Sequence, residues 1–258
     1  MTTLSYTVSD SATMLKRNLR HIQRYPTTMI VSLGVPVMLL LLFVGVFGGA
    51  LNAGMGGDDY INYVLPGILL TTIGYGSSST SLAVNRDSTE GIITRFRTMA
   101  ISRGSVLTGH VVAAVLRTMI SVALVLGFAF LLGFRPTADA GDWLAVTAVL
   151  LLVVLALTWL AVAVGLSARN AEGTSSFALV VQLLPFISSA FVTTESMPGA
   201  VGWFAHNEPF TPIIDTVRGL LLGTPIGNSG AIAVAWCVGL AAAGYLWARA
   251  VFRRDPVR

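Results

Sequence analysis

Six apolar stretches alternate with short polar connections along the chain: residues 27–50, 60–84, 106–132, 143–166, 175–194 and 230–248. A helix rising 1.5 Å per residue needs roughly 20 residues to cross a hydrocarbon layer about 30 Å thick, and each stretch is of that order. The pattern predicts an all-α integral membrane protein with six transmembrane helices in one domain over 27–252. Composition agrees: charged residues make up 11% of the chain, where a soluble domain carries about a quarter, and the mean hydropathy is +0.77. The spans use up most of the 258 residues, which leaves no room for a separate catalytic domain.

Charge orients the spans. With the N-terminus in the cytoplasm, the inner side carries thirteen of the sixteen cations, and seven of the twelve carboxylates lie outside, as the positive-inside rule requires. An even number of spans then places both termini, including the tail 253–258, in the cytoplasm. The high isoelectric point reflects this topology and gives no reason to expect a nucleic-acid partner. The first span begins too late for an ordinary signal peptide and is expected to be retained.

Three connections have patterns of their own. Residues 1–26 include a segment, 9–25, with Leu15, Leu19 and Ile22 on one helical face and Lys16, Arg17, Arg20 and Arg24 largely off it, ended by Pro26. Such an amphipathic helix lies on the cytoplasmic membrane surface, either as a topology anchor or as an elbow coupled to a gate. In the longest cytoplasmic loop, 85–104, Ser88 is placed to open a short helix. Ile92, Ile93 and Phe96 would lie on one side of it, with Arg95 and Arg97 on another. This apolar side either rests on the membrane or docks into a partner, unless the loop only sets topology. Residues 195–229 hold two apolar pieces too short to cross, 200–205 and 212–222, bounded by prolines and by Gly223. They predict either a re-entrant hairpin at the outer mouth or an ordinary cap, with Asp215 placed three residues before Arg218 to pair with it.

Three motifs carry a family resemblance. Tyr60-Ile61-Asn62-Tyr63-Val64-Leu65-Pro66-Gly67 opens the second span. Arg86, Asp87, Glu90 and Gly91 lead through Ile93, Arg95, Phe96 and Arg97 to Ile101-Ser102-Arg103. Asn207-Glu208-Pro209 continues through Asp215 and Arg218 to Gly223. In this order they resemble the permease subunit of a type-2 ABC exporter, close to the daunorubicin-resistance group. The resemblance implies six helices per subunit, a second permease subunit in a homo- or heterodimer, and a separate ABC ATPase subunit on the cytoplasmic face. It implies that Arg86, Asp87, Glu90, Gly91, Ile93, Arg95 and Phe96 form the coupling helix, and that the segment containing Pro209, Asp215, Arg218 and Gly223 forms the outer re-entrant hairpin. The chain departs from the family at Ala100, where proline is frequent, and at His110, where lysine is.

A phosphate-binding P-loop needs a lysine after a glycine-rich turn, and the sole lysine, Lys16, has no glycine near it. The chain is therefore expected not to be an enzyme itself: no cofactor belongs to it, and ATP and magnesium reside on the partner. Thr71, Ser78 and Ser81, with Gly74, fall at helical steps on the second span, as do Gln182, Ser189 and Thr193, with Pro185, on the fifth. Such stripes either let helices approach closely or line a portal for an amphipathic cargo, with Phe177, Phe186 and Phe191 adding apolar contact. Arg117 is the one cation well inside a span; it either snorkels, meets a partner on another helix or touches cargo.

A serine protease lacks the histidine placement it needs, and three scattered histidines with Cys237 offer no metal site. The sequence thus predicts the permease subunit of an exporter in a bacterial plasma membrane, moving a hydrophobic drug, lipid or lipid-linked compound. The alternative is an ion-coupled secondary carrier for a hydrophobic solute, which would rest on Arg117.

Overall fold

The computed structural model describes residues 26–50, 60–90, 103–168 and 170–253. Among them there is no strand. The elements in order are α1 (Pro26–Leu41), a π-helical turn (Leu42–Val46), α2 (Tyr60–Thr89), α3 (Arg103–Leu131), α4 (Ala140–Ser167), α5 (Ala171–Leu183), 3-10 turns at Leu184–Ile187 and Thr194–Ser196, α6 (Gly199–Asn207), α7 (Phe210–Leu222) and α8 (Ser229–Arg253). Among the described residues, three helical segments are both long and apolar enough to cross a membrane: Thr108–Leu131, Ala140–Ser167 and Ser229–Phe252. Leu33–Val46 and Ala171–Ile187 are shorter apolar helices.

Helix α2 is the axis of the bundle, packed by α1, α3, α4, α5 and α7. At 30 residues it is about 45 Å long, yet it is rich in serine, threonine and glycine. Its neighbours cover it, with Leu65, Ile68, Leu70 and Thr71 fully buried. Most of its buried hydroxyls return their hydrogens to carbonyls of the same helix, as in Thr71 to Gly67 (2.9 Å) and Thr72 to Ile68 (2.8 Å), which lowers the cost of burying a weakly polar helix.

Helix α4 joins α2 to α8, and two glycines bring the backbones together. A Cβ on Gly165 would stand 2.5 Å from the Ser81 carbonyl oxygen of α2. One on Gly244 of α8 would stand 2.7 Å from the Leu160 nitrogen of α4. Contact this close requires glycine, as at small-residue interfaces between membrane helices. The start of α4 is fixed by a reciprocal cap in which the Asp142 N–H donates to Asp139 Oδ1 (2.8 Å) and the Asp139 N–H to Asp142 Oδ2 (3.1 Å).

Three elements differ from the hydrophobic pattern. The second span runs past residue 84 to Thr89, so Ser88 lies in the last turn of α2 and opens no new helix; its N–H belongs to the continuing i to i−4 ladder. The first stretch is interrupted at Leu42–Val46, where the Phe47 N–H reaches back to the Leu42 carbonyl (3.0 Å), an i to i−5 bond. The fifth helix starts earlier, at Ala171, with Asn170 as its cap, and stops well before 194. Pro185 cannot donate to the ladder, the turn tightens to 3-10 through Ile187, and Ser188 Oγ donates to the Pro185 carbonyl (2.6 Å) to close it. Residues 1–25 and 91–102, hence the amphipathic elbow and most of the expected coupling helix, lie outside the described residues.

Candidate functional site

The two ends of α2 carry the chemistry. At its leading end, Tyr60 and Tyr63 sit one turn apart and reach the chain that follows α5: Tyr60 Oη donates to the Phe191 carbonyl (3.1 Å) and Tyr63 Oη to the Ser189 carbonyl (3.0 Å). Arg218 of α7 enters the same spot. Its Nη2 donates to the carbonyls of Ser189 (2.7 Å) and Tyr63 (3.2 Å), its Nη1 to Asp215 Oδ1 (2.9 Å), and its guanidinium carbon lies 3.9 Å from the centre of the Tyr63 ring. Ser189 completes the network, its Oγ donating to Asp215 Oδ1 (2.7 Å) and its N–H to Thr211 Oγ1 (3.1 Å). A planar fork sharing hydrogens among two carbonyls and a carboxylate, with an aromatic face beneath, is the arrangement for which arginine is suited and lysine is not.

The helical pair α6–α7 supports this cluster. Pro209 precedes α7 with helical φ, and Gly223 ends it at φ +66°, a left-handed conformation that glycine adopts without strain. Glu208, 4% exposed, accepts the Phe210 N–H (2.8 Å) and the Thr211 N–H (2.5 Å) at the start of α7. Burial pushes its carboxyl up to about 7 against the pull of those amides. Beside the polar cluster lies an aromatic one: Phe43, in the π-turn, stacks on Phe191 with centroids 4.4 Å apart, and Phe191 on Phe186 at 4.9 Å.

At the trailing end, Arg86 and Glu90 are exposed, and the Glu90 N–H closes the helix on the Arg86 carbonyl (2.9 Å). Asp87 Oδ2 lies 3.2 Å from His110 Nε2 of α3. Gly91, Ile93, Arg95 and Phe96 lie outside the described residues. Two residues before Asp87, the buried Asn85 donates from Nδ2 to the carbonyls of Gly165 (3.2 Å) and Ala168 (2.7 Å), the end of α4.

Between the ends, Arg117 Nη2 of α3 donates to Thr80 Oγ1 (3.0 Å) and Ser79 Oγ (3.3 Å) of α2, so the side chain is held across a helix pair. Gln182 of α5 donates to Ser78 Oγ of α2 (3.3 Å). Thr71 and Ser81 are fully buried, and Ser81 Oγ has no hydrogen-bond partner among the described residues. The stripe expected on the fifth span is not one face, because the helix stops before Ser189: Gln182 faces α2, Ser189 belongs to the arginine cluster, and Thr193 is exposed before a 3-10 turn. An apolar cavity of about 200 Å³ lies elsewhere, among α2, α3, α4 and α7, lined by residues that include Leu69, Val122, Trp143 and Leu150, and none of the stripe residues borders it.

Sequence reasoning singled out Asp215 and Arg218 but missed Asn85 and Glu208 as structural ties. An asparagine at the polar end of an apolar stretch, and a glutamate before a proline that opens a helix, were the available signals.

A family model described as ABC-2 type transporter matches residues 11–222. The chain is 30% identical over 220 residues, 84% of its length and 76% of the relative's, to the daunorubicin resistance ABC transporter permease protein DrrB1 of Streptomyces coeruleorubidus. It is 24% identical over 233 residues, 88% of its length and 83% of the relative's, to the probable doxorubicin resistance ABC transporter permease protein DrrC of Mycobacterium tuberculosis.

Proposed function

Since the chain belongs to the ABC-2 type transporter family and is a membrane permease subunit of such a transporter, we propose that it exports a hydrophobic, drug-like compound from a bacterial cell as one of two permease subunits. Six spans with both termini inside place the trailing end of α2 at the cytoplasmic face, where an ABC ATPase subunit holding ATP and magnesium docks. The α6–α7 pair is then the re-entrant outer hairpin. One observation carries this reading: a single helix, α2, runs from the Tyr60, Tyr63 and Arg218 cluster to Arg86, Asp87 and Glu90. A push on the loop after Glu90 is delivered along that rod to the outer cluster, and transport follows when the two arrangements face opposite sides.

The relatives named for daunorubicin and doxorubicin resistance favour a planar, amphipathic cargo over the lipid or lipid-linked compound that a related fold also moves. The ion-coupled carrier would need Arg117 as its charged centre; the hydroxyls of Ser79 and Thr80 occupy that guanidinium, which supports an architectural role. Inverted vesicles containing the chain and its partner ATPase test the proposal. ATP-dependent doxorubicin accumulation, read by fluorescence and insensitive to collapse of ion gradients, is expected; accumulation that needs a gradient and no ATP would overturn it.

A further inference from the structure

Helix α4 ends at Ser167, and its last carbonyls have no partners within the helix. Asn85, buried in the last turns of α2, donates both its amide hydrogens to this end, to Gly165 O at 3.2 Å and to the cap residue's Ala168 O at 2.7 Å. The contact is close: the Gly165 backbone lies directly against the Ser81 carbonyl, and Val84 beside it is buried. Ala168 stands at the joint between α4 and α5, because Asn170 two residues later already caps α5 through the Gly173 N–H (3.2 Å). The same final stretch of α2 carries Asp87, which reaches His110 of α3, so each of two neighbouring helices has its own tie to it.

We propose that Asn85 is a positioning residue of the transport cycle: its amide couples displacement of the trailing end of α2 to the α4–α5 joint, so that α5 swings when the loop after α2 is pushed. This inference rests on the ATP-driven reading above. A buried amide bridging two carbonyls is suited to the task, because it holds only while α2 and α4 move together and costs a desolvated donor and two desolvated acceptors when they part. Asp87 and His110, both on the rim, steer α3 and are not expected to substitute for it.

The test uses the full chain with its partner ATPase in lipid, with Cys237→Ala as background. A fluorophore is placed at Thr89→Cys to report the input and, in a separate preparation, at Leu179→Cys on the exposed face of α5 to report the output. In the parent chain both probes are expected to respond to ATP. Asn85→Leu, which keeps the approximate shape and removes the donors, is expected to keep the Thr89 response, lose the Leu179 response and lower doxorubicin exported per ATP hydrolysed by roughly tenfold, a coupling loss of ordinary size. Asn85→Gln, which keeps the donors, is expected to restore part of both. If Asn85→Leu does not accumulate, Asn85→Ala, smaller and equally without a donor, carries the same expectation. A Leu179 response that survives in the folded donor-less variant would overturn the proposal. If neither probe responds to ATP in the parent chain, it is the ATP-driven reading that fails.

Discussion

The leading and trailing ends of α2 are built differently. The leading end is a closed network: two tyrosine hydroxyls, a guanidinium, a carboxylate and two serine or threonine hydroxyls converge on the chain around Ser189 from α2, α7 and the end of α5. Among the described residues, the trailing end is tied by a buried amide and a pair nearer the surface, with Arg86 and Glu90 exposed. A region in which every polar group is satisfied by the same chain is a latch. A region that leaves charges on its surface presents them to something else. In one rod the first resists motion and the second receives it.

Variants at the two ends sharpen the contrast, ranked by expected effect on fold stability. Arg218→Ala strips the carbonyls of Ser189 and Tyr63 of a donor and is expected to cost about 2–3 kcal/mol, seen as a lower melting temperature in detergent and reduced abundance. Arg218→Lys should recover little of it, because an ammonium cannot span the same acceptors. Next comes the α2–α4 seam: Gly165→Leu forces a side chain against the Ser81 carbonyl and is expected to cost about 1–3 kcal/mol, measurable in the same melt. Of the same order is the effect of pH at Glu208. Its folded carboxyl is raised from 4.5 to about 7, so its stability contribution is fully present below about pH 4.5 and is lost as pH rises through 7. The melting temperature of the parent chain should fall between pH 5 and 8 more steeply than that of Glu208→Gln. Least affected is Glu90→Ala, expected to change stability by less than about 0.5 kcal/mol while uncoupling ATP turnover from export. A large melting shift at Glu90, or none at Arg218, would erase the distinction between latch and lever.

The parts legible in the sequence were those where length or a breaker residue decides. The α3, α4 and α8 helices follow from apolar length, and α6 and α7 from the bracketing prolines and Gly223. The Asp215–Arg218 pair followed from its i, i+3 spacing. What escaped was set by partners distant in sequence. The polar last turn of α2 looks like a loop until Asn85 is seen capping α4. The apolar residues after Pro185 continue the hydrophobic pattern, although the missing N–H ends the helix. The π-turn at Leu42–Val46 is apolar throughout and leaves no mark. The stripe on the fifth span failed for the same reason as the fifth helix's end, since periodicity assigns a face only where a helix exists. Tyr63 and Ser189, 126 residues apart, could be joined by no local rule.

The most direct measurement is the amount of P-loop ATPase retained when the tagged chain, co-expressed with that subunit, is purified in mild detergent as the parent, as Arg86→Glu with Glu90→Arg, and as Arg218→Lys. The account predicts stoichiometric ATPase with the parent and with Arg218→Lys, and its loss on reversing the charges at the trailing end. ATPase retained after that reversal, or lost only with Arg218→Lys, would contradict it.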